Sequence, residues 1–315
     1  YEMALLRLHE KISQPVLIDS IEILCWRERY FVRTTSADGA VGIASANHRL
    51  SYLSELIKQR IVPSFLGRDA RDLEALLDGV YLDHSNYKLA GVAFWNGVGH
   101  VEISLLDMLG KIAGLPVGAL LGEVRRREIP VYLSSLRRDT TPQQEVEWLS
   151  QRLLETGANA VKIKVGGRMS SNADAMPGRS EQLISLARKT WGDDVTIYAD
   201  ANGSYDAAKA IEVGRMLQDH GVSLFEEPCP FDEYEDTKKV ADALDMTVAG
   251  GEQDTSMARW KWMIENRGVD LVQPDLCYNG GFVRCLRVAQ MAARAGMMVT
   301  PHSPKADANA APMLH

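Results

Sequence analysis

Three acids, two lysines and an Asp–His pair are the residues of this chain whose types and spacing could act together: Lys162, Lys164, Asp200, Glu226, Glu252, Asp275 and His302. After the lysines they recur at intervals of about 30 residues, the length of one strand–helix unit in a barrel where ~250 residues make eight. Each stands at the carboxyl end of a run of β-forming residues. In a parallel sheet all of them therefore project from one rim, the face on which such barrels build active sites. Asp200, Glu226 and Glu252 come from consecutive runs, and three carboxylates so close repel one another unless a cation lies between them. An all-oxygen set favours a hard ion such as Mg²⁺, with Mn²⁺ as a substitute. Taken singly, each acid is more often a helix cap or a rim salt bridge; three in register point to a metal site. Lys162 and Lys164, two apart on one strand, present both ammonium groups to the barrel interior, where each is expected to lower the other's pKa towards that of a general base. On an edge strand the same pair would be ordinary surface. Asp275, one strand before His302, is placed to fix the imidazole tautomer and raise its proton affinity, whereas a lone histidine would read as structural.

A barrel is needed to bring these residues together. Runs of β-forming residues at 130–134, 160–165, 195–200, 222–226, 246–250, 269–273 and 297–301 alternate with helical periodicity at 145–157, 180–192, 207–221, 234–244 and 282–296. This is parallel α/β architecture, a TIM-like (β/α)7β or (β/α)8 barrel over residues 129–315. Residues 1–128 read as an α+β capping domain. Alternating apolar and polar residues from Val16 to Ala46, with Asp38-Gly39 as a turn, make a three-stranded meander, and helical spacing follows at 50–67, 69–82 and 100–122. The irregular segment from Gly166 to Ser180 is a loop by composition. An eighth strand would begin near residue 320 on the ~30-residue period, so the barrel is expected to lack its last strand and the chain its terminal segments.

Composition narrows the classes. Of 315 residues 46% are hydrophobic and 24% charged, as in ordinary globular proteins, and the net charge of −7 argues against binding nucleic acid by bulk electrostatics. The four cysteines (Cys25, Cys229, Cys277, Cys285) form no C-x-x-C pair, which fits a reducing cytoplasm rather than a disulfide scaffold. No apolar run reaches the ~18 residues of a membrane span, and the opening YEMALLRLHEK is charged where a signal peptide is apolar. The expected partners are a small-molecule carboxylate and further copies of the chain, with neither nucleic acid nor membrane.

The set Lys162-Ile-Lys164, Asp200-Ala-Asn202, Phe225-Glu-Glu-Pro228, Gly250-Gly-Glu252, Gln273-Pro-Asp275 and Pro301-His302 resembles the enolase superfamily, and within it the mandelate racemase subgroup. The resemblance implies that Asp200, Glu226 and Glu252 bind Mg²⁺. It also implies that Lys164, tuned by Lys162, is one acid/base, and that His302 with Asp275 is the other. Glu227 is expected near the substrate, and Asn202 near the metal or the substrate carboxylate. The chemistry implied is abstraction of the proton α to a carboxylate through an enediolate.

With Lys164 and His302 facing the substrate from opposite sides, two outcomes are open. Protonation of a β-hydroxyl gives dehydration of an aldonate or aldarate to a 2-keto-3-deoxy acid, the common subgroup reaction. Return of the proton on the other face gives a racemase or epimerase. A cycloisomerase or dipeptide epimerase would carry a lysine at position 275. A Schiff-base aldolase barrel would leave the acid triad unexplained. Specificity is expected from the segment around Ser36–Asn47, from the 166–180 loop closing the site, and from Tyr132 and Ser134.

Overall fold

The computed structural model describes residues 5–303 and 310–315. Part of the charged opening segment, residues 1–4, lies outside them. An antiparallel sheet comes first, β1 (Ile18–Trp26), β2 (Arg29–Ser36) and β3 (Val41–Ala46), in the order β1-β2-β3. Gly39, at φ 89°, turns the second hairpin as Asp38-Gly39 suggests. The first hairpin turns on Arg27 and Glu28, at φ 47° and 63°, a left-handed pair that no Gly or Asn announces in the sequence.

Five helices accompany this sheet: α1 (Leu8–Lys11), α2 (Leu50–Leu56), α3 (Leu73–Leu82), α4 (Val92–Ala113) and α5 (Val117–Leu121). α2 runs on through a π-turn at Ile57–Ile61. The long helix α4 begins at Val92, well before the expected start at His100. Gly97 and Gly99, which weaken helical propensity, lie in its interior for a packing reason. A Cβ on Gly99 would come within 2.9 Å of the Cys277 carbonyl, so the helix can press onto the second unit only without one.

The second unit alternates strand and helix. Seven parallel strands, β4 (Leu133–Ser134), β5 (Ala160–Lys164), β6 (Thr196–Asp200), β7 (Leu224–Glu226), β8 (Thr247–Gly250), β9 (Leu271–Val272) and β10 (Met298–Val299), lie in sequence order in one curled sheet. Between them run α6 (Pro142–Thr156), α7 (Arg179–Trp191), α8 (Ala207–Asp219), α9 (Tyr234–Ala243), α10 (Met257–Glu265) and α11 (Phe282–Arg294), and a short α12 (Ala311–Leu314) follows. Helix α10, MARWKWMIE, lies outside the helices expected from periodicity because Trp262 falls off the apolar stripe of Met257, Trp260, Met263 and Ile264 and blurs its period.

The inner strands β5 to β9 are largely buried in the manner of a parallel sheet, while β4 and β10 form its more exposed edges. Val161, Ile163, Ile197 and Ala199 face outward onto α6, α7 and α8. Leu224, Ala249 and Leu271, with Tyr198 against them, fill the interior below the rim. The first apolar core does not stop at the cap; it runs from β1 and α4 into Leu276, Tyr278, Phe282 and Val283. All four cysteines are free, and among the described residues no helix is long and apolar enough to cross a membrane.

One polar contact fixes the cap on the barrel. Glu102 of α4 is fully buried, and its carboxyl group accepts from the backbone N–H groups of Phe282 and of Val283 (2.9 Å), the first two residues of α11. Gly281 precedes them at φ 105°, and a Cβ there would overlap the Glu102 carboxyl. Burial outweighs the two backbone donors and pushes this carboxyl up to about 8. The folded protein therefore holds a proton that the unfolded chain releases at an ordinary glutamate pKa. Stability contributed by Glu102 is complete below that ordinary value and declines as pH rises towards about 8. Glu102→Ala should cost about 2–3 kcal/mol in denaturant unfolding by leaving two buried donors unmet, and Glu102→Gln should remove this part of the pH slope. Unchanged stability in both variants would contradict the contact.

Candidate functional site

Alternation along β5 and β6 decides which side chains enter the barrel. Lys162 and Lys164 point inward between outward Val161 and Ile163, and Asp200 ends β6 directly opposite Lys164 in register. Glu226 ends β7 opposite Asp200. Glu252 follows β8 by two residues. Asp275 and His302 lie just past β9 and β10, bridged in parallel to each other. The seven polar residues marked by spacing thus share the carboxyl-terminal rim.

One oxygen from each of Asp200, Glu226 and Glu252 lies within 4.8 Å of the other two, and all three residues are buried. Lys162 Nζ is 2.5 Å from Glu226 Oε1 and 3.6 Å from Asp200 Oδ2; Lys164 Nζ donates to Asp200 Oδ2 and, at 3.1 Å, to Asn202 Oδ1. At the other end, His302 Nε2 is 3.2 Å from Glu252 Oε2 and Nδ1 is 2.8 Å from Asp275 Oδ2. The second Asp275 oxygen accepts from the N–H groups of Cys277 (2.7 Å) and Tyr278 (2.8 Å), which fix the carboxylate. Lys164 and His302 therefore stand at opposite ends of the triad.

Charge is distributed unevenly. Burial opposes ionisation of Asp200, but Lys164 and Lys162 overcome it and hold the carboxyl down at about 2. Burial pushes Glu226 up to about 7, helped by the charges of Asp200 and Glu252. Glu227 is driven well above the carboxylate range by burial and by the same neighbours. Burial disfavours a charged His302, yet the Asp275 hydrogen bond and the Glu252 charge raise its proton affinity, as the dyad argument expects. Lys162 departs from expectation. Burial lowers its pKa, but Glu226 and Asp200 more than reverse this and raise it, because its nearest charges are carboxylates rather than the other ammonium.

The remaining expected residues separate by position. Asn202 lies inside the site: its N–H donates to Asp200 Oδ1 at 2.9 Å and its amide reaches Glu227 Oε2 at 3.4 Å. Asn202 and Glu227 hold left-handed backbone, φ 44° and 42°, an uncommon cost that the site retains. Tyr132 sits edge-on to Tyr198 with Lys162 Nζ 5.5 Å from its ring. Ser134 pairs with Lys162 in register at the exposed edge of the sheet. The expected specificity segment Ser36–Asn47 comprises the end of β2, the Asp38-Gly39 turn, β3 and Asn47. Just beyond it, Arg49 places its guanidinium 4.7 Å over the Tyr278 ring, itself 6.2 Å from His302. The 166–180 loop is tied to the rim by Met169 N–H to Asn202 O and Arg168 N–H to Ser204 Oγ.

Two residues here were not assigned roles from sequence. Gln273 donates to Glu226 Oε2 at 2.7 Å, and its place in Gln273-Pro-Asp275 was the available signal. Arg138 donates to Asn202 Oδ1 at 3.0 Å; it stands four residues past β4, where rim residues are expected.

The donor set suits a hard divalent cation. Glu227 Oε1 and Gln273 Oε1, acceptors beside the triad, are buried without a hydrogen-bond partner, and three more carboxylate oxygens converge within reach of one ion.

Known proteins bear on this arrangement. The model of a family described as enolase C-terminal domain-like matches residues 145–315. An arabinonate dehydratase from Saccharolobus solfataricus is 29% identical over 278 residues, 85% of this chain and 70% of its own length. An L-talarate/galactarate dehydratase from Salmonella typhimurium is 29% identical over 246 residues, 78% of this chain and 59% of its own length. The chain thus spans 59% to 70% of these two relatives. Among solved structures, a proposed racemase from Roseobacter denitrificans is 40% identical with a TM-score of 0.88, over 95% of this chain and 81% of that one. A mandelate racemase/muconate lactonizing protein from Paracoccus denitrificans, complexed with magnesium, is 28% identical with a TM-score of 0.86, over 95% of this chain and 82% of its own. A cap on a curled parallel sheet, the acid triad on its rim and these matches together make this chain a member of the enolase superfamily, of the mandelate racemase type.

Proposed function

We propose that this protein removes the proton α to the carboxylate of an acid sugar and expels the β-hydroxyl as water, giving a 2-keto-3-deoxy acid. One observation carries the proposal: two proton-transfer groups are anchored at opposite ends of a single buried acid triad, Lys164 on Asp200 and His302 on Glu252. The names of the relatives, arabinonate and L-talarate/galactarate dehydratases, support it.

Asp200, Glu226 and Glu252 would hold Mg²⁺, which when bound supplies a Lewis-acid charge that stabilises negative charge developing on the substrate carboxylate. Lys162, kept cationic by Glu226 and Asp200, adds a fixed positive charge beside it. Lys164 Nζ is the group on the β5 side that takes the α-proton. The electron pair left at the α-carbon forms the double bond to the β-carbon as the β-hydroxyl departs. His302 Nε2 gives that hydroxyl its proton, and Asp275 holds the imidazole by Nδ1 so that Nε2 faces the site. The enol then tautomerises to the keto acid. A substrate of opposite α-configuration exchanges the roles of the two groups. The same pair supports inversion at the α-carbon when no leaving group is protonated, a second reading that the likeness to a proposed racemase favours.

Incubation with Mg²⁺ in D₂O and a library of acid sugars should produce 2-keto-3-deoxy acids, detected by semicarbazide trapping, with deuterium entering at the α-carbon of slow substrates. Inverted acid without keto acid would establish the racemase instead, and absence of both would defeat the proposal. Single substitutions separate the two arms. Lys164→Ala should lower kcat by about 10²–10⁴ and abolish exchange from one stereochemical face, while His302→Asn should leave that exchange and suppress the other face. Equal exchange on both faces in both variants would rule out the two-arm mechanism.

A further inference from the structure

Four guanidinium groups gather behind the rim on the Lys164 side, and three of them are accounted for. Arg137 is paired with buried Glu145 at 3.0 Å. Arg179, buried, is spent on the carbonyls of Thr140, Lys164 and Arg137. Arg168 is exposed on the 166–180 loop. Arg138 shares with Arg179 the lack of a carboxylate partner but, unlike buried Arg179, is part-exposed, and its bonds run through Nε and Nη2 alone. Half-buried at the mouth of the site, it donates to neutral oxygens: Gly166 O through Nε at 3.1 Å, Asn202 Oδ1 through Nη2 at 3.0 Å, and Asp200 O at 3.5 Å. Among the described residues no carboxylate forms a salt bridge with it. The acid whose charge it feels most, Asp200, is already bound by both lysines. Arg168 and Arg179 add repulsion at the same place.

A partly desolvated guanidinium without a counter-charge calls for an anion, and its planar fork matches a carboxylate. The position specifies which anion. Asn202 Oδ1 accepts from Lys164 Nζ at 3.1 Å and from Arg138 Nη2 at 3.0 Å, so Arg138 stands one side chain from the proton-transfer lysine, and it is part-exposed where Lys164 is buried. The reacting carboxylate of an acid sugar belongs at the triad, and the far end of the same molecule extends outwards along this wall. Building on the proposed function, we infer that Arg138 is a specificity-determining residue that binds a second, distal carboxylate, so that the preferred substrates are aldarates rather than aldonates.

The test compares acids that differ only at the far carbon. With Mg²⁺, kcat/KM is measured for glucarate, galactarate and mannarate against gluconate, galactonate and mannonate, with 6-phosphogluconate as a third kind of anion. At least one hexarate should exceed its hexonate by about tenfold or more, chiefly through KM. In Arg138→Gln that ratio should collapse towards one, and Arg138→Lys should restore part of it. A wild-type ratio at or below one overturns the inference and leaves the dehydratase intact. A ratio unchanged in Arg138→Gln, with both substrates declining together, makes Arg138 a positioning residue for Asn202 and Lys164 and also overturns it. Preference for 6-phosphogluconate over every hexarate replaces the distal carboxylate by a phosphate. Failure of every acid to react removes the proposed function itself, and this inference with it.

Discussion

Mutual repulsion among buried carboxylates is the constraint from which the rest of the structure follows. Asp200, Glu226 and Glu252 bring oxygens within 4.8 Å of one another with almost no exposure to water, and Glu227 adds a fourth acid beside them. Two unit charges about 4 Å apart repel by about 4 kcal/mol at an effective dielectric of 20, so such a cluster stands only with strong compensation. Lys162, Lys164 and the imidazole of His302 provide part of it, each bonded to a different acid or pair of acids. Glu226 and Glu227 remain pushed upwards, first by burial and then by the neighbouring acids, so the charges of the lysines and His302 do not fully offset the cluster. The same residues that neutralise the triad are those to which the proposed reaction assigns the proton transfers. Electrostatic support for the cluster and chemistry on the substrate are therefore one arrangement of charges.

Holding that arrangement takes a rigid rim, and the rim depends on the cap. α4 reaches across to seat Glu102 on the first turn of α11, the helix between β9, which leads to Asp275, and β10, which leads to His302. Tyr278, three residues past Asp275, packs into the core shared with the cap and carries Arg49 on its ring. The orientation of the Asp275–His302 pair is thus tied to cap packing through Tyr278 and α11. On the opposite side the lysines are set by the strand register alone, since Lys164 and Asp200 are direct neighbours across β5 and β6.

The barrel and its polar rim were legible because a parallel βα unit has a length. Residues that end strands repeat with that length, and their types need no neighbours to be seen. Features that failed to show depend on contacts. The start of α4 is hidden by Gly97 and Gly99, whose value lies in the close approach of other elements. The Arg27-Glu28 turn carries no glycine, so strand pairing imposes its left-handed backbone. The pKa direction of Lys162 reverses because Glu226 lies 2.5 Å away across the barrel, a distance invisible along the chain. Arg137 and Arg138 look alike in sequence. Only the fold shows that one is matched by Glu145 while the other faces the site.

The central claim, that the acid triad is built around one divalent cation, is tested most directly by calorimetric titration of Mg²⁺ into metal-free protein. Saturable binding of one ion per chain, lost in Glu226→Gln while that variant keeps the circular dichroism spectrum of the parent, is the result the account predicts. Absence of saturable binding in the parent, or binding of equal affinity in Glu226→Gln, would contradict it.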